Sequence, residues 1–339
     1  MNPITVTADR TYEIVLSSNW RSALTVAMSS RDVVVIAPET LLGKVAEIVD
    51  PERIISVPDG EQQKTFSSLE TLAEKLAKLG MDRHSLIVGI GGGATTDLTG
   101  FLAASYLRGV EWIAVPTTVA GMVDAAIGGK TGINLAGGKN LFGAFYSPSQ
   151  VIVDTSWLTS LEKRDISAGL AEAVKAGFIG DSRILELIET DLSKNLSEII
   201  ERSITVKATV VSRDFRESGE REVLNYGHTL GHAIERHSGY RLRHGEAISI
   251  GLCFAARLSQ QISGLAKEVA DRHFRILTSL DLPTSYPNTA WPELRSLMGL
   301  DKKRKAGLIR FVTLREIGKT DRQSTEESIL AEVYRGISS

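Results

Sequence analysis

Three of the six histidines of the chain fall within 17 residues, at positions 228, 232 and 244. In "NYGHTLGHAIE" the spacing puts Asn225, His228 and His232 on one face of an expected helix, with Arg221 of "GEREVLN" a turn earlier. "LAEAVKAG" sets Glu172 and Lys175 three apart on another helix, and "RLRHGEA" supplies His244 just before a third. A catalytic zinc ion takes three nitrogen or oxygen ligands and keeps one position open, a demand that two histidines and a glutamate meet. Spacing alone nominates His228 and His232 as the histidine pair. It establishes a shared face, and it leaves open whether both hold metal or form a plain surface pair.

A second group lies in the first half of the chain. "LIVGIGGGATTDLTGF" places glycines between a buried-strand pattern and a helix start, whose unpaired N–H groups would face a phosphate. Gly89, Gly91 and Ala94 satisfy G-x-G-x-x-[GA], but Glu111 precedes "WIAVP" instead of ending it, which departs from an ordinary dinucleotide fingerprint. The glycines alone fit a tight crossover without a ligand equally well. Their neighbours favour a ligand: "PDGEQQK" puts Asp59, Glu61 and Lys64 on a loop after one strand, and "PTT" at 116–118 ends another. Polar loops at the carboxyl ends of adjacent strands are where an open α/β sheet binds a nucleotide.

"VDAAIGGKTGINLAGGKNLFGAF", residues 123–145, reads as a long functional loop with six glycines. Lys130 and Lys139 each follow a glycine pair, so bare backbone can approach a ligand while an ammonium reaches it. Ile127, Ile133, Leu135, Leu141 and Phe142 are expected to anchor the segment. With Lys175, Lys207, Arg108 and Arg221, these lysines make a cationic inventory suited to a substrate carrying two anionic groups.

The elements that must position these groups fall into two textures. "ITVTA", "EIVLS", "DVVVIAP", "RIISVP", "SLIVGIG", "WIAVP" and "VIVD" are strand patterns that alternate with helical segments such as "FSSLETLAEKLAKLG". Residues 1–158 therefore read as an α/β domain with a mostly parallel, Rossmann-like sheet, and residues 159–339 as a mostly α-helical domain. The strong strand signal of the second half is "GLIRFVTL" at 307–314, a hairpin candidate. A net charge of -2 gives no general attraction to nucleic acid or an anionic membrane, and a small charged substrate fits better. The single cysteine, Cys253, sits in an apolar run as a packed small hydrophobe. With no export-signal pattern and no apolar run of about 20 residues, a cytoplasmic protein is expected.

These segments together resemble the 3-dehydroquinate synthase family of the sugar phosphate cyclases. The similarity runs through "DGEQQK", "GGGATTDLTGF", "YLRG", "VPTT", "VDAAIGGKTGIN", "GKNLFGAFYSP", "GLAEAVKAG", "LNYGHTLGHAIE", "RHGEAISIG" and "DKK". It implies an NAD-binding α/β domain joined to a helical metal-binding domain. It also implies conversion of 3-deoxy-D-arabino-heptulosonate 7-phosphate into 3-dehydroquinate and phosphate, with NAD+ used and returned in each turnover. The resemblance assigns Glu172, His228 and His244 to Zn2+ or Co2+. His232, Asn225, Asn140, Lys130, Arg108 and a lysine of "DKK", Lys302 or Lys303, match groups near the substrate phosphate, and Lys207 and Arg221 match its carboxylate clamp. Asp124 and Lys175 match groups beside the reacting hydroxyls. The NAD positions are Asp59, Gly60, Glu61, Gln62, Gln63, Lys64, Gly93, Ala94, Thr95, Thr96, Asp97, Thr117, Thr118, Lys130 and Lys139, with Trp157, Leu158, Thr159 and Ser160. Thr96 stands where many members carry glycine. The family implies a homodimer in which Arg108 reaches the neighbouring subunit's site.

Two other classes share parts of this pattern. A sister cyclase acting on sedoheptulose 7-phosphate or glucose 6-phosphate would lack a substrate carboxylate, and the joint presence of Lys207, Arg221, Asn225 and His232 speaks against it; an amino analogue of the same substrate is separated less sharply. A metal-dependent polyol dehydrogenase of related fold would release NADH.

Overall fold

Each of the seven β-branched runs of the first 154 residues becomes a strand. The computed structural model describes residues 3–301 and 309–339. The chain divides into two compact units, Met1–Leu161 with Lys207–Arg216, and Glu162–Val206 with Glu217–Ser339. The strands of the first unit are β1 (Ile4–Thr7), β2 (Thr11–Leu16), β3 (Val33–Pro38), β4 (Ile54–Val57), β5 (Leu86–Gly91), β6 (Glu111–Pro116), β7 (Lys130–Leu135), β8 (Gly138–Phe145) and β9 (Gln150–Val153). A seven-stranded sheet has the order β1-β2-β9-β6-β5-β3-β4, parallel throughout except for the β1–β2 pair. Every residue of β5 is buried, as are five of six in β3, which is why both read as continuous apolar runs.

Helices α1 (Trp20–Met28), α2 (Leu42–Val45), α3 (Phe66–Lys78) and α4 (Gly93–Ser105) complete this unit, with part of a later helix. The chain leaves β3 toward β4 on one side and β5 toward β6 on the other, so the strand order reverses between β3 and β5. In an open α/β sheet that reversal, at the carboxyl ends of the strands, is the ligand-binding crevice.

The segment 123–145 differs from the expected loop. Most of it is the antiparallel hairpin β7–β8, in which Gly132 faces Gly143. A Cβ on Gly143 would lie 2.0 Å from the Thr131 carbonyl oxygen, so its glycine reflects strand contact and not looseness. Ile127 and Ile133 are buried as expected, and Phe142, although 44% exposed, packs its ring on Phe66 and Phe101 at 4.8 and 5.5 Å, whereas Leu135 and Leu141 are 39% and 61% exposed and do not anchor it.

The second unit is built from α5 (Lys163–Ile179), α6 (Ser182–Arg213, interrupted at Asp191 and shared with the first unit), α7 (His228–His237), α8 (His244–Ser263), α9 (Lys267–Ser279), α10 (Trp291–Asp301) and α11 (Glu327–Ile337). Leu230, Ile234, Phe254, Leu294, Phe311 and Tyr334 form part of its core. The run "GLIRFVTL" leads into β10 (Arg310–Glu316), which pairs antiparallel with β11 (Lys319–Ser324) as expected for a hairpin. Cys253 is buried. Among the described residues no helix is long and apolar enough to cross a membrane.

A second correction concerns "REVLNYGHTLGHAIERH". It is not one helix: a 3-10 turn covers Glu220–Asn225, and α7 begins only at His228. Gly227 lies between them at φ +80°, a left-handed conformation that ends the helical path and takes Asn225 off the face of His228 and His232.

Candidate active site

Backbone contact between three helices creates the helical cluster. A Cβ on Gly245 would sit 1.6 Å from the Ala168 carbonyl oxygen, and one on Gly251 would sit 2.0 Å from that of Gly227. Helix α8 therefore touches α5 through Gly245 and the start of α7 through Gly251. Each glycine contact lies within a few residues of a polar group of interest: Glu172 on α5, His228 opening α7, and His244 opening α8.

The ligand atoms of Glu172, His228 and His244 all lie within 4.8 Å of one another. Glu172 Oε1 is 3.2 Å from Nε2 of His228 and 3.2 Å from Nε2 of His244. These separations approach the roughly 3.4 Å between ligand atoms of a tetrahedral site with arms near 2.0–2.1 Å. The other ring nitrogens are already engaged. His228 Nδ1 donates to the Tyr226 carbonyl at 3.1 Å, and His244 Nδ1 lies 3.2 Å from Glu235 Oε2. Such outer partners fix the tautomer and aim a histidine at a cation.

Electrostatics agrees with this donor set. Burial pushes the His228 imidazolium down to about 4, with the Lys175 ammonium adding to the effect, so the ring is neutral. Burial also opposes charge on His244, but hydrogen bonds to Glu172 and Glu235 outweigh it and raise the ring to about 10. Glu172 stays well below the usual carboxylate range: burial opposes ionisation, and Lys175 with His228 overcomes it. Lys175 forms an ion pair with Glu172 Oε2, and both side chains are almost fully buried. One proton thus sits among two carboxylates and two imidazoles, where a divalent cation would displace it.

A second set, His232, Glu235 and His244, also converges within 4.8 Å. His244 Nδ1 faces Glu235 of this second set, whereas its Nε2 faces Glu172 of the first. The exposed His232 ring lies edge-on to His228 at 5.2 Å between centroids. Glu235 was not singled out by the sequence. It follows His232 by three, like many solvent-facing glutamates, and only the packing of this unit makes it a buried partner of His244.

In the α/β unit, the β5–α4 turn places Gly93 to Asp97 at the start of α4, a first turn with no side-chain cap. Its N–H groups suit an anion. Gly91 is tight, since a Cβ there would be 2.4 Å from Thr95 Oγ1, and the Thr96 hydroxyl donates back to the Gly93 carbonyl at 3.0 Å. Asp59 to Lys64 follow β4, Thr117 and Thr118 follow β6, and Trp157 to Ser160 follow β9, so all stand at the carboxyl ends of sheet strands. Trp157 and Leu158 are buried while Thr159 and Ser160 are exposed.

Lys64 ties these loops together. Its ammonium donates to Asp97 Oδ2 at 2.6 Å and to Asn140 Oδ1. Asn134 joins the network by donating to Glu61 Oε1 at 2.7 Å and accepting from the Asn140 N–H at 2.9 Å. Burial raises the Asp97 carboxyl to about 6, the nearby Lys64 ammonium limiting the rise. Asn140, expected near a substrate phosphate, thus shares a partner with Asp97, expected near the dinucleotide.

The remaining groups are placed as follows. Lys207 donates to the Asp124 carbonyl at 2.6 Å and forms an ion pair with its carboxylate. Asp124 is therefore paired with Lys207, and Lys175 with Glu172. Arg221 is buried, and Asn225 donates to Glu217 Oε1 at 2.9 Å. Arg108 and Lys130 are exposed and Lys139 is half-buried. Lys302 lies outside the described residues.

Comparison with known proteins adds sequence and structural relatives. The family model described as 3-dehydroquinate synthase N-terminal matches residues 54–168, and that described as 3-dehydroquinate synthase C-terminal matches residues 169–304. A 3-dehydroquinate synthase of Thermobifida fusca is 46% identical over 344 residues, covering 96% of this chain and 94% of its own. One of Mycobacterium leprae is 45% identical over 355 residues, covering 99% and 98%. Among solved structures, a 2-deoxy-scyllo-inosose synthase complexed with carbaglucose-6-phosphate, NAD+ and Co2+ superposes with a TM-score of 0.87 at 26% identity, covering 99% of this chain and 100% of its own. A 2-epi-5-epi-valiolone synthase from Streptomyces hygroscopicus, with NAD+ and Zn2+ bound, shares the fold with a TM-score of 0.88 at 23% identity, covering 98% of each chain.

Proposed function

The chain belongs to the 3-dehydroquinate synthase family, and from that premise we infer that it converts 3-deoxy-D-arabino-heptulosonate 7-phosphate into 3-dehydroquinate and phosphate, in the shikimate route. The observation that carries the reading is the cluster of buried Glu172 and His228 with half-buried His244, and Lys175 beside it. We read the enzyme as a cytoplasmic carbon–oxygen lyase dependent on NAD+ and a divalent metal. The complex of the inosose synthase with NAD+ and Co2+ supports both cofactors. Bound in the chain, these groups would supply reversible hydride transfer at C5 and polarisation of the C5 oxygen.

The residues of the chain take complementary parts. Glu172, His228 and His244 would hold the cation, a donor set of two nitrogens and one oxygen that suits Zn2+ or Co2+. Lys175 Nζ would hold or move the proton of the reacting hydroxyl, and the Asp124 carboxylate would orient that end of the substrate. Lys207, whose ammonium is fixed in advance by Asp124, and the buried Arg221 would clamp the carboxylate. Arg108, Lys130, Asn140, Asn225, His232 and Lys302 would serve the phosphate, which leaves as the neighbouring C–H is deprotonated. The first turn of α4 would take the dinucleotide phosphates, with Asp59 to Lys64, Thr117, Thr118, Lys139 and Trp157 to Ser160 completing that site. A buried arginine together with Lys207 favours a carboxylate-bearing substrate over the sugar phosphates of sister cyclases.

Stoichiometry tests this reading. Purified enzyme given the heptulosonate phosphate, a divalent metal and catalytic NAD+ is expected to release phosphate over many turnovers with no net NADH, measured by phosphate assay and absorbance together. NADH accumulating in step with turnover of a simple polyol would replace the reading with a dehydrogenase.

A homodimer forms part of the same proposal. Leu107 and the hairpin residues Leu141 and Phe142 are 47%, 61% and 44% exposed, apolar surface on the α/β unit that a second copy would cover. Light scattering is expected to give the mass of two chains at micromolar concentration. A monomer mass under those conditions would remove the dimer from the proposal.

A further inference from the structure

A hydrogen-bonded chain leads from the metal cluster into the helical core. The backbone carbonyl of Val269 on α9 is 2.9 Å from His273 Nδ1, and a carbonyl can only accept, so that nitrogen carries the proton. His273 Nε2 is then a bare acceptor, and it lies 2.9 Å from the Tyr226 hydroxyl, which must donate to it. The backbone carbonyl of the same Tyr226 accepts from His228 Nδ1 at 3.1 Å. This leaves His228 Nε2 bare, 3.2 Å from Glu172 Oε1. The Val269 carbonyl thus sets the His273 tautomer and the direction of the Tyr226 hydroxyl, and the Tyr226 carbonyl separately sets the tautomer of His228.

The chain is dry and clamped. Tyr226 and His273 are both 0% exposed, and the His273 ring stacks on Phe178 of α5 with centroids 3.3 Å apart. Burial keeps His273 neutral, lowering its imidazolium to about 3, consistent with the single tautomer. The backbone at the other end forms a tight turn. Tyr226 at φ -56°, ψ 121° and Gly227 at φ 80°, ψ -21° are the central residues of a type II turn. Type I and type II turns differ mainly by a flip of their central peptide, and here that peptide carries the carbonyl that holds His228. Gly227 permits the type II form, while the buried phenol resists rotation about it.

We propose that Tyr226 and His273 are positioning residues for the metal ligand His228, holding the Tyr226–Gly227 peptide in the orientation that fixes the His228 tautomer and aims Nε2 at the cation. The proposal rests on the reading of Glu172, His228 and His244 as the metal site. Neither residue touches substrate or dinucleotide in that reading, so their effect passes through metal binding.

The test is metal affinity of apo-protein titrated with Zn2+ against a competing chelator, with the visible spectrum of the Co2+-loaded protein as a second readout. Tyr226→Phe and His273→Phe are each expected to weaken Zn2+ binding about tenfold, the lower end of the effect of losing a hydrogen-bond partner behind a metal ligand, and to alter the Co2+ spectrum. The double variant is expected to lose no more than the weaker single, because both break one chain. His273→Gln, whose amide can donate to Val269 and accept from Tyr226, is expected to recover most of the affinity. Ser259 also neighbours the Tyr226 phenol, and the His273 variants separate its contribution. Zn2+ affinity within twofold of wild type in both single variants, or additive losses in the double, would overturn the relay. A His228→Ala protein that still binds Zn2+ with wild-type affinity would instead overturn the metal-site reading.

Discussion

His228→Ala is expected to purify without its divalent metal and to release phosphate at least about a thousandfold more slowly, since a catalytic cation contributes several kcal/mol to the transition state. His232→Ala is expected to keep one metal per chain and to lose activity through substrate binding or phosphate departure. Elemental analysis and phosphate release on both variants check the pair. The contrast follows from which ring nitrogen is free. His228 gives Nδ1 to a carbonyl and turns Nε2 to Glu172, whereas the exposed His232 groups with Glu235, which faces Nδ1 of His244. Equal metal loss in both variants would mean that the second set contributes to the site.

Lys64→Met is expected to have the next largest effect. The Lys64 side chain is 2% exposed and faces an Asp97 that is 18% exposed. Removing one partner of a buried pair costs about 3–5 kcal/mol; partial exposure of Asp97 places the expected loss near 2–3 kcal/mol at pH 8. NAD+ affinity is expected to fall at least about tenfold, because the Asp59–Lys64 loop, the start of α4 and the hairpin lose their common tie.

The pH dependence has a defined sign. In the folded protein Asp97 ionises at about 6 against 3.8 for the free group. Its contribution to stability is full below 3.8 and is lost as pH rises through about 6. Without Lys64 the carboxyl moves further up, so the variant's deficit is expected to be largest at pH 8 and to shrink toward pH 5, where the carboxyl is neutral. Urea unfolding at several pH values measures this; an identical deficit at pH 5 and pH 8 would show that the ammonium acts through packing alone.

Much of the architecture was legible because burial leaves a plain mark. The seven strands of the main sheet were read from runs such as "LIVGIG" and "VVVIAP", whose residues face apolar neighbours on both sides. The β7–β8 hairpin was not, because strands in backbone contact at Gly132 and Gly143 use the residue that otherwise signals a loop. Helical spacing also overreached at Asn225, since period counting cannot register the left-handed turn at Gly227. For the site, residue types pointed to a metal and a dianionic substrate, and the division of roles came from resemblance. Glu235, Tyr226 and His273 carried no local signal, because their partners are distant in sequence or reached through backbone.

Helix α6 has a further consequence. Its last turns and the residues after it, Lys207–Arg216, belong to the α/β unit although they follow more than forty residues of the helical one. A fragment cut after Leu161 would lack Lys207 against Asp124, the Phe215 ring against Phe145, and the Ser212 hydroxyl that accepts from the Thr7 N–H. The α/β half of this enzyme is therefore not a cassette. Recombination between relatives at that seam would exchange an incomplete part, and a chimera must carry residues 207–216 from the same parent as its sheet.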